Sequence, residues 1–363
     1  MLKVKMLTFH NAENYGATLQ AYALKETLKK LGTNPSFVNY ENKAILSDYK
    51  LIRTNSLKSF FSSLWFLPRN LKRKISFKSF SDACLDTNSK KYTEISQIEQ
   101  DIEDTDIFVA GSDQIWNPEL TGGLSDIYTL NFETDKNIKR LIYGASLGNE
   151  ELLQKHALDF KAKTEKLDYI SVREQSIINQ LENICGKKIE QVIDPTLLLD
   201  KYDWDKLILN NATTNLKGKK YILVYTLFES DQVTKIANYI SKLTGLKVIH
   251  FRKYNAYNNE YMSLYSKGPI DFVNAFKNAE YIITNSFHGT VFSIIYEKKF
   301  YSVLPKEREG RIKDLLETLS LDCRIVEKIE NINSDENIDY TFAKDKIEEM
   351  KSQSIEYLKK GVL

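Results

Sequence analysis

Two α/β domains, each wound around its own parallel sheet, are what the sequence predicts, and three observations carry that prediction. Short apolar runs ending in small or polar residues alternate with stretches of helical periodicity along most of the chain. The alternation breaks once, after Asp194-Pro195, where a less regular stretch rich in Asn, Thr and Lys near its end runs to Lys220. Finally, 363 residues exceed the ~250–300 at which a single hydrophobic core stops growing.

Taken in order, Lys3–Phe9 reads as a buried strand and His10–Ala17 as a polar turn. Thr18–Leu31 follows as a helix with Leu19, Ala23, Leu24, Leu28 and Leu31 on one stripe. Ile107–Ala110, Arg140–Ala145 and Tyr169–Val172 are further strands, and another finishes near Val192. Beyond the break come strand Tyr221–Leu227, helix Asp231–Leu243, strand Lys247–His250 and helix Ile270–Asn278. Strand Tyr281–Thr284, helix Thr290–Tyr296 and strand Phe300–Val303 complete the second set. Phe342–Lys360 is an amphipathic helix expected to pack back on the body. The expected division is therefore 1–195, 196–340 and a C-terminal helix over 341–363.

Composition narrows the function. Lys+Arg (51) nearly balances Asp+Glu (49), and a net charge of +2 gives no overall bias toward nucleic acid or membrane, so any anion site must be built locally. Cys84, Cys185 and Cys323 lie far apart, without a CxxC pair or zinc-spaced histidines, so neither a disulfide framework nor a metal is expected. The N-terminus lacks the apolar run of a signal peptide and no stretch reaches the ~18 apolar residues of a membrane span, so the expected location is cytoplasmic. One stretch departs from charge balance. Between Asp48 and Asp82 stand Lys50, Arg53, Lys58, Arg69, Lys72, Arg73, Lys74 and Lys78 with no acidic residue, interleaved with Phe60, Phe61, Trp65, Phe66, Phe77 and Phe80. Two readings of 50–80 stay open: peripheral contact with the inner face of the membrane, and a helical insertion whose aromatics enter the core.

The most informative segment is Tyr281–Tyr296, YIITNSFHGTVFSIIY. A buried strand delivers Asn285, Ser286 and His288 to a turn, Gly289 permits unusual backbone angles, and an apolar helix begins near Thr290. Ligands of open α/β sheets bind at such strand ends, where a helix N-terminus favours an anion. His288 there is either a general acid beside a bound anion or a hydrogen-bonded turn cap. The segment Asn14–Leu24, with Asn14, Tyr15 and Gly16, resembles a ligand loop without being a dinucleotide or Walker signature. Strand Ile107–Ala110 brings Gly111, Ser112, Asp113 and Gln114 to a strand end, as polar groups suited to sugar hydroxyls. Trp116 either stacks on a sugar or plugs the domain, and Asp194-Pro195 reads as a turn at the domain boundary.

TNSFHGTVFSI, together with NYGATLQAYAL, AGSDQIWNP, SVREQS and VIDPTLLL, resembles the polysaccharide pyruvyl transferase family in one continuous order. The resemblance implies two Rossmann-like domains facing a cleft in a GT-B-like arrangement, acceptor side first and donor side second. It also implies phosphoenolpyruvate as co-substrate, no separate cofactor, and a lipid-linked or polymeric sugar acceptor in capsule or exopolysaccharide assembly. Relatives often carry Arg two residues before the motif histidine, whereas this chain has Ser286. Another cation must then meet the donor's charge. Arg173, which matches an Arg of the family, is the first candidate, with Arg311 and Arg252 after it, each against the alternative of a structural salt bridge.

The scheme that follows makes His288 the acid, Arg173 and Arg311 the clamps, and Asp113 the base or acceptor-orienting group. Asn285, Ser286, Gly289 and Thr290 complete the donor side, and Asn14, Tyr15, Gly16, Ser112, Gln114 and Trp116 the acceptor side. A glycosyltransferase using a nucleotide sugar is the first rival, with Glu307 or Glu309 as its ribose-binding carboxylate. An inactive sugar-binding homologue is the second.

Overall fold

The structure, a computed structural model, describes residues 1–363 except 48, 50, 52–56, 88–89, 102–104, 135–136, 210, 253–260, 305–308 and 333–336. It divides into two compact units. Unit 1 comprises Met1–Phe60, Lys78–Leu199 and Glu349–Leu363, and unit 2 comprises Phe61–Phe77 and Asp200–Glu348.

Unit 1 carries a sheet of six parallel strands: β1 (Lys3–Leu7), β2 (Asn34–Phe37), β3 (Ile107–Asp113), β4 (Lys139–Ala145), β5 (Tyr169–Val172) and β6 (Ile189–Gln191), in the spatial order β2-β1-β3-β4-β5-β6. Such strands read as near-continuous apolar runs because helices cover both faces of a parallel sheet. Phe108, Ala110, Ile142, Ile170 and Val172 accordingly lie in one core with Phe9, Ile115 and Trp116. Helix α1 (Tyr15–Lys30) follows β1 and buries Leu19, Ala23, Leu24 and Leu28.

Unit 2 carries five parallel strands: β7 (Tyr221–Tyr225), β8 (Lys247–His250), β9 (Met262–Ser263), β10 (Tyr281–Thr284) and β11 (Lys299–Ser302), in the order β9-β8-β7-β10-β11. Ile222, Val224, Val248 and Ile283 pack with Val233, Ile236 and Ile240 of helix α4 (Asp231–Thr244) in one core. Tyr225 and Phe292, with Phe272 and Phe276 of helix α5 (Pro269–Asn278), add a cluster of edge-on and tilted rings. Both sheets are doubly wound α/β in type. In each, strand order reverses direction once, between β1 and β3 and between β7 and β10, and these switch points are where open sheets bind ligands.

The structure refines the expected organisation at three points. Residues 61–77 join unit 2, although the sequence places them inside the first domain, because the inner face of helix α3 (Leu67–Phe80), which follows α2 (Leu57–Trp65), bonds to the chain near 265. Arg73 donates to the Tyr265 carbonyl (3.0 Å), the Tyr265 hydroxyl donates to Asn70 (3.1 Å), and Ser76 donates to the Ser266 carbonyl (3.3 Å). The boundary after β6 falls between Leu199 and Asp200. The C-terminal helix (Thr341–Val362) changes unit at 348/349, and its second half docks on unit 1, where Ser354 accepts from Ile193 N (3.0 Å) and the Tyr357 hydroxyl donates to the Ile142 carbonyl (2.7 Å). Lys50, Arg53, Glu307 and the side chains of Lys58, Phe60 and Glu309 lie outside the described residues.

Candidate functional site

In unit 2 the chain leaves β10 at Thr284 and turns directly into helix α6 (Phe287–Ile295). Ser286 is the N-cap: its Oγ accepts from Gly289 N (3.3 Å) and its carbonyl accepts from Thr290 N (2.9 Å). The helix therefore starts three residues earlier than its apolar pattern predicts, and His288 stands in the first turn instead of in a loop. The positive end of the helix dipole lies beside it, with no acidic residue in that turn. Gly289 serves packing: a Cβ there would lie 2.2 Å from Thr284 Oγ1, so only glycine lets the helix approach the strand this closely.

The polar neighbours of His288 are largely committed to the fold. Ser286 and Thr290 are buried, and Thr290 Oγ1 shares a hydrogen bond with Ser302 Oγ (2.8 Å), so both serve the turn. Asn285 spans the switch point: its Oδ1 accepts from Leu227 N (2.9 Å) and its Nδ2 donates to the Phe228 carbonyl (3.1 Å). It fixes the loop after β7. Arg311, in the helix α7 (Glu309–Thr318), carries its guanidinium 5.6 Å from the centre of the Phe287 ring, beside the histidine turn. Arg252 pairs with Glu229 (3.3 Å) at the end of β8.

At the switch point of unit 1 most expected acceptor residues turn inward. Asn14 is the N-cap of α1, its Oδ1 accepting from Ala17 N (3.3 Å), and Tyr15 and Gly16 are buried in the first turn. Ser112 N donates to Gln20 Oε1 (3.0 Å) and Ser112 Oγ to the Gly144 carbonyl (2.6 Å). Gln114 is buried and accepts from Asn117 (2.8 Å). Trp116 is fully buried, donates to the Tyr128 carbonyl (3.2 Å) and meets Phe160 edge-on, so it plugs the domain. Gly111 is required by geometry, since a Cβ would sit 2.0 Å from the Tyr143 carbonyl oxygen. Asp113, the last residue of β3, remains partly open and has a left-handed backbone conformation (φ 72°).

Arg173 does not stand ready for an anion. Its guanidinium is ion-paired with Asp194 and lies 3.5 Å from Asp113, with the arginine side chain only 6% exposed. Burial opposes its charge, yet Asp194, Asp113 and Glu174 outweigh burial and hold its pKa above the usual value. Asp194, read as a turn residue, does cap the following 3₁₀ turn through Thr196 N (3.0 Å), and with its second oxygen it neutralises the arginine.

With this geometry in place, comparison with known proteins decides the family. The sequence profile described as polysaccharide pyruvyl transferase matches residues 14–306. The chain belongs to that family. A comparison with curated proteins finds no match. Among solved structures, the family member resembles S. aureus MnaA in its UDP co-structure, at 14% identity over 98% of this chain and 91% of that one, TM-score 0.51. A Methanocaldococcus jannaschii UDP-GlcNAc 2-epimerase, solved with UDP-GlcNAc and UDP, aligns at 13% identity over 97% and 99%, TM-score 0.49. At 14% identity the MnaA likeness shows the fold, which is of GT-B type, and nothing of the activity.

Within this pyruvyl transferase framework, sequence reasoning passed over His10. It follows β1 at the unit 1 switch point, stacks on Phe37 (4.8 Å) and is almost wholly buried. Burial pushes its pKa down to about 4 against smaller opposing contributions from the Thr8 carbonyl and Asn39. Its Nδ1 lies 3.0 Å from the Thr8 carbonyl, which fits a neutral ring donating from that nitrogen. The only signal for it was a histidine directly after a buried strand. Among the described residues no cluster of His, Cys, Asp and Glu could hold a metal, and no helix is long and apolar enough to cross a membrane.

Proposed function

We propose that this pyruvyl transferase family member moves the pyruvyl group of phosphoenolpyruvate onto a sugar hydroxyl during assembly of a bacterial surface polysaccharide, on a lipid-linked or polymeric acceptor. One observation supports it beyond family membership: His288 stands in the first turn of α6, at the switch point of unit 2, with Arg311 against the neighbouring ring. A helix N-terminus and a guanidinium suit a donor bearing carboxylate and phosphate. Arg311 takes the part that the family's arginine would play where this chain has Ser286.

In the proposed reaction protonated His288 gives its proton to the methylene carbon of the enolpyruvyl group, turning it into a methyl and leaving an oxocarbenium-like centre. Helix dipole and Arg311 hold the donor's negative groups while this charge develops. A sugar hydroxyl bonds to that centre and releases its proton. The bond to phosphate then breaks with its electron pair, and a second hydroxyl closes the cyclic ketal, releasing another proton. For hydroxyl binding in unit 1, Asp113 is the best-suited group, its carboxylate held 3.5 Å from the Arg173 guanidinium.

Phosphate release from phosphoenolpyruvate, measured with candidate lipid-linked sugars, tests this reading. Acceptor-dependent release supports it. Thermal stabilisation by UDP-sugars without stabilisation by phosphoenolpyruvate would instead favour a nucleotide-sugar enzyme.

A further inference from the structure

The basic, aromatic stretch seen in the sequence gains a geometry in unit 2. Its helix α3 turns Asn70, Arg73, Ser76 and Phe77 inward, spaced as one face of a helix. Arg73 lies over the rings of Phe77 (4.6 Å) and Tyr265 (5.0 Å), so this arginine belongs to the body of the unit. Gly268 lies so close to Ser76 that an added Cβ would stand 3.1 Å from its carbonyl oxygen. The segment is therefore anchored, and its other face is defined.

That outer face is unusual in combining two properties. Trp65 is 82% exposed and Ile75 63%, with Leu64 and Leu71 also exposed, while Arg69, Lys72 and Lys74 stand exposed among them. Single exposed apolar residues are normal on a protein surface, but four of the twelve residues 64–75 are apolar and exposed. No acidic residue occurs between Asp48 and Asp82 to balance the cations. A soluble polyanion would use the charges and leave a tryptophan and an isoleucine in water. A second copy of the chain docking through this face would set like charges against each other. An anionic bilayer answers both properties, its headgroups meeting the cations and its acyl boundary taking the apolar side chains.

We infer that the outer face of 64–75 docks unit 2 onto anionic phospholipid. The claim concerns binding alone and stands independently of the reaction proposed above.

The three tryptophans make the test direct. Trp116 and Trp204 are fully buried, so Trp65 alone can report contact with lipid. The full chain is mixed with vesicles of equal parts phosphatidylglycerol and phosphatidylcholine at low salt, and with pure phosphatidylcholine vesicles. It should float only with the anionic vesicles, its emission should shift to the blue, and bromine-labelled acyl chains should quench it. Trp65→Phe should remove the spectral change. The triple variant R69Q/K72Q/K74Q, folded by circular dichroism, should partition roughly two orders of magnitude more weakly, since each cation near an anionic surface contributes about fivefold. Failure of the wild type to float with anionic vesicles at low salt overturns the inference. So does flotation with no quenching, which would mark a face for soluble polyanions, or lipid-free dimerisation that Trp65→Ser abolishes, which would mark a face for a second copy.

Discussion

The two switch points share one architecture and differ in how charge is treated. In unit 1 the strand-end cation, Arg173, is enclosed by Asp194 and Asp113, and the histidine there, His10, is buried and neutral. In unit 2 the histidine stands in the first turn of a helix without acidic residues, with Arg311 near it. A parallel sheet thus supplies the place for a ligand, and the side chains of each loop decide its sign. On the proposed reading, unit 1's edge takes hydroxyl-bearing groups and unit 2's edge the anion.

The sharpest way to break that contrast is at His288. His288→Ala should lower turnover by ~10²–10⁴-fold, the range of a general acid, with a far smaller effect on phosphoenolpyruvate affinity. Steady-state phosphate release checks it, and unchanged turnover would remove the acid from this turn.

Arg173 should behave in the opposite manner, as a residue of stability. Arg173→Met leaves Asp194, whose side chain is fully buried, without its counter-charge, a loss on the order of 3–5 kcal/mol. Pairing it with Asp194→Asn should return part of that loss, because the amide oxygen still caps Thr196. Denaturant unfolding of the single and double variants measures both. A stable Arg173→Met protein that has lost donor affinity would restore the clamp to unit 1.

His10 gives a smaller, pH-dependent effect. Its folded pKa of about 4 lies below the ordinary 6.5, so between these values the unfolded chain binds the extra proton. Its contribution is complete above pH 6.5 and is lost as pH falls toward 4, to a total of roughly 3 kcal/mol. Unfolding free energies at pH 7 and pH 4 should therefore diverge more in the wild type than in His10→Asn. Equal loss in both would mean that the ring is not held neutral.

Much of the fold was legible because buried parallel strands are short apolar runs. Tyr169–Val172, Lys247–His250 and Tyr281–Thr284 have the same bounds in sequence and structure. Asn34–Phe37 was hidden by Pro35, which an edge strand tolerates. The attachment of 61–77 to unit 2 was invisible, since it rests on contacts to residues near 265. For the sites, the strand ends could be located, but not which side chains were already committed. Ser112 is bound by Gln20, Trp116 by Tyr128 and Arg173 by Asp194, partners that no local spacing announces. The start of α6 was misplaced because Ser286 caps it while the apolar pattern begins only after Gly289.

The central claim is that the anionic donor belongs to the unit 2 edge through Arg311, and calorimetric binding of phosphoenolpyruvate tests it most directly. Arg311→Gln should weaken the affinity by about 10- to 100-fold, the worth of charge-assisted hydrogen bonds, with Arg311→Lys recovering only part. An affinity unchanged in Arg311→Gln would contradict the account.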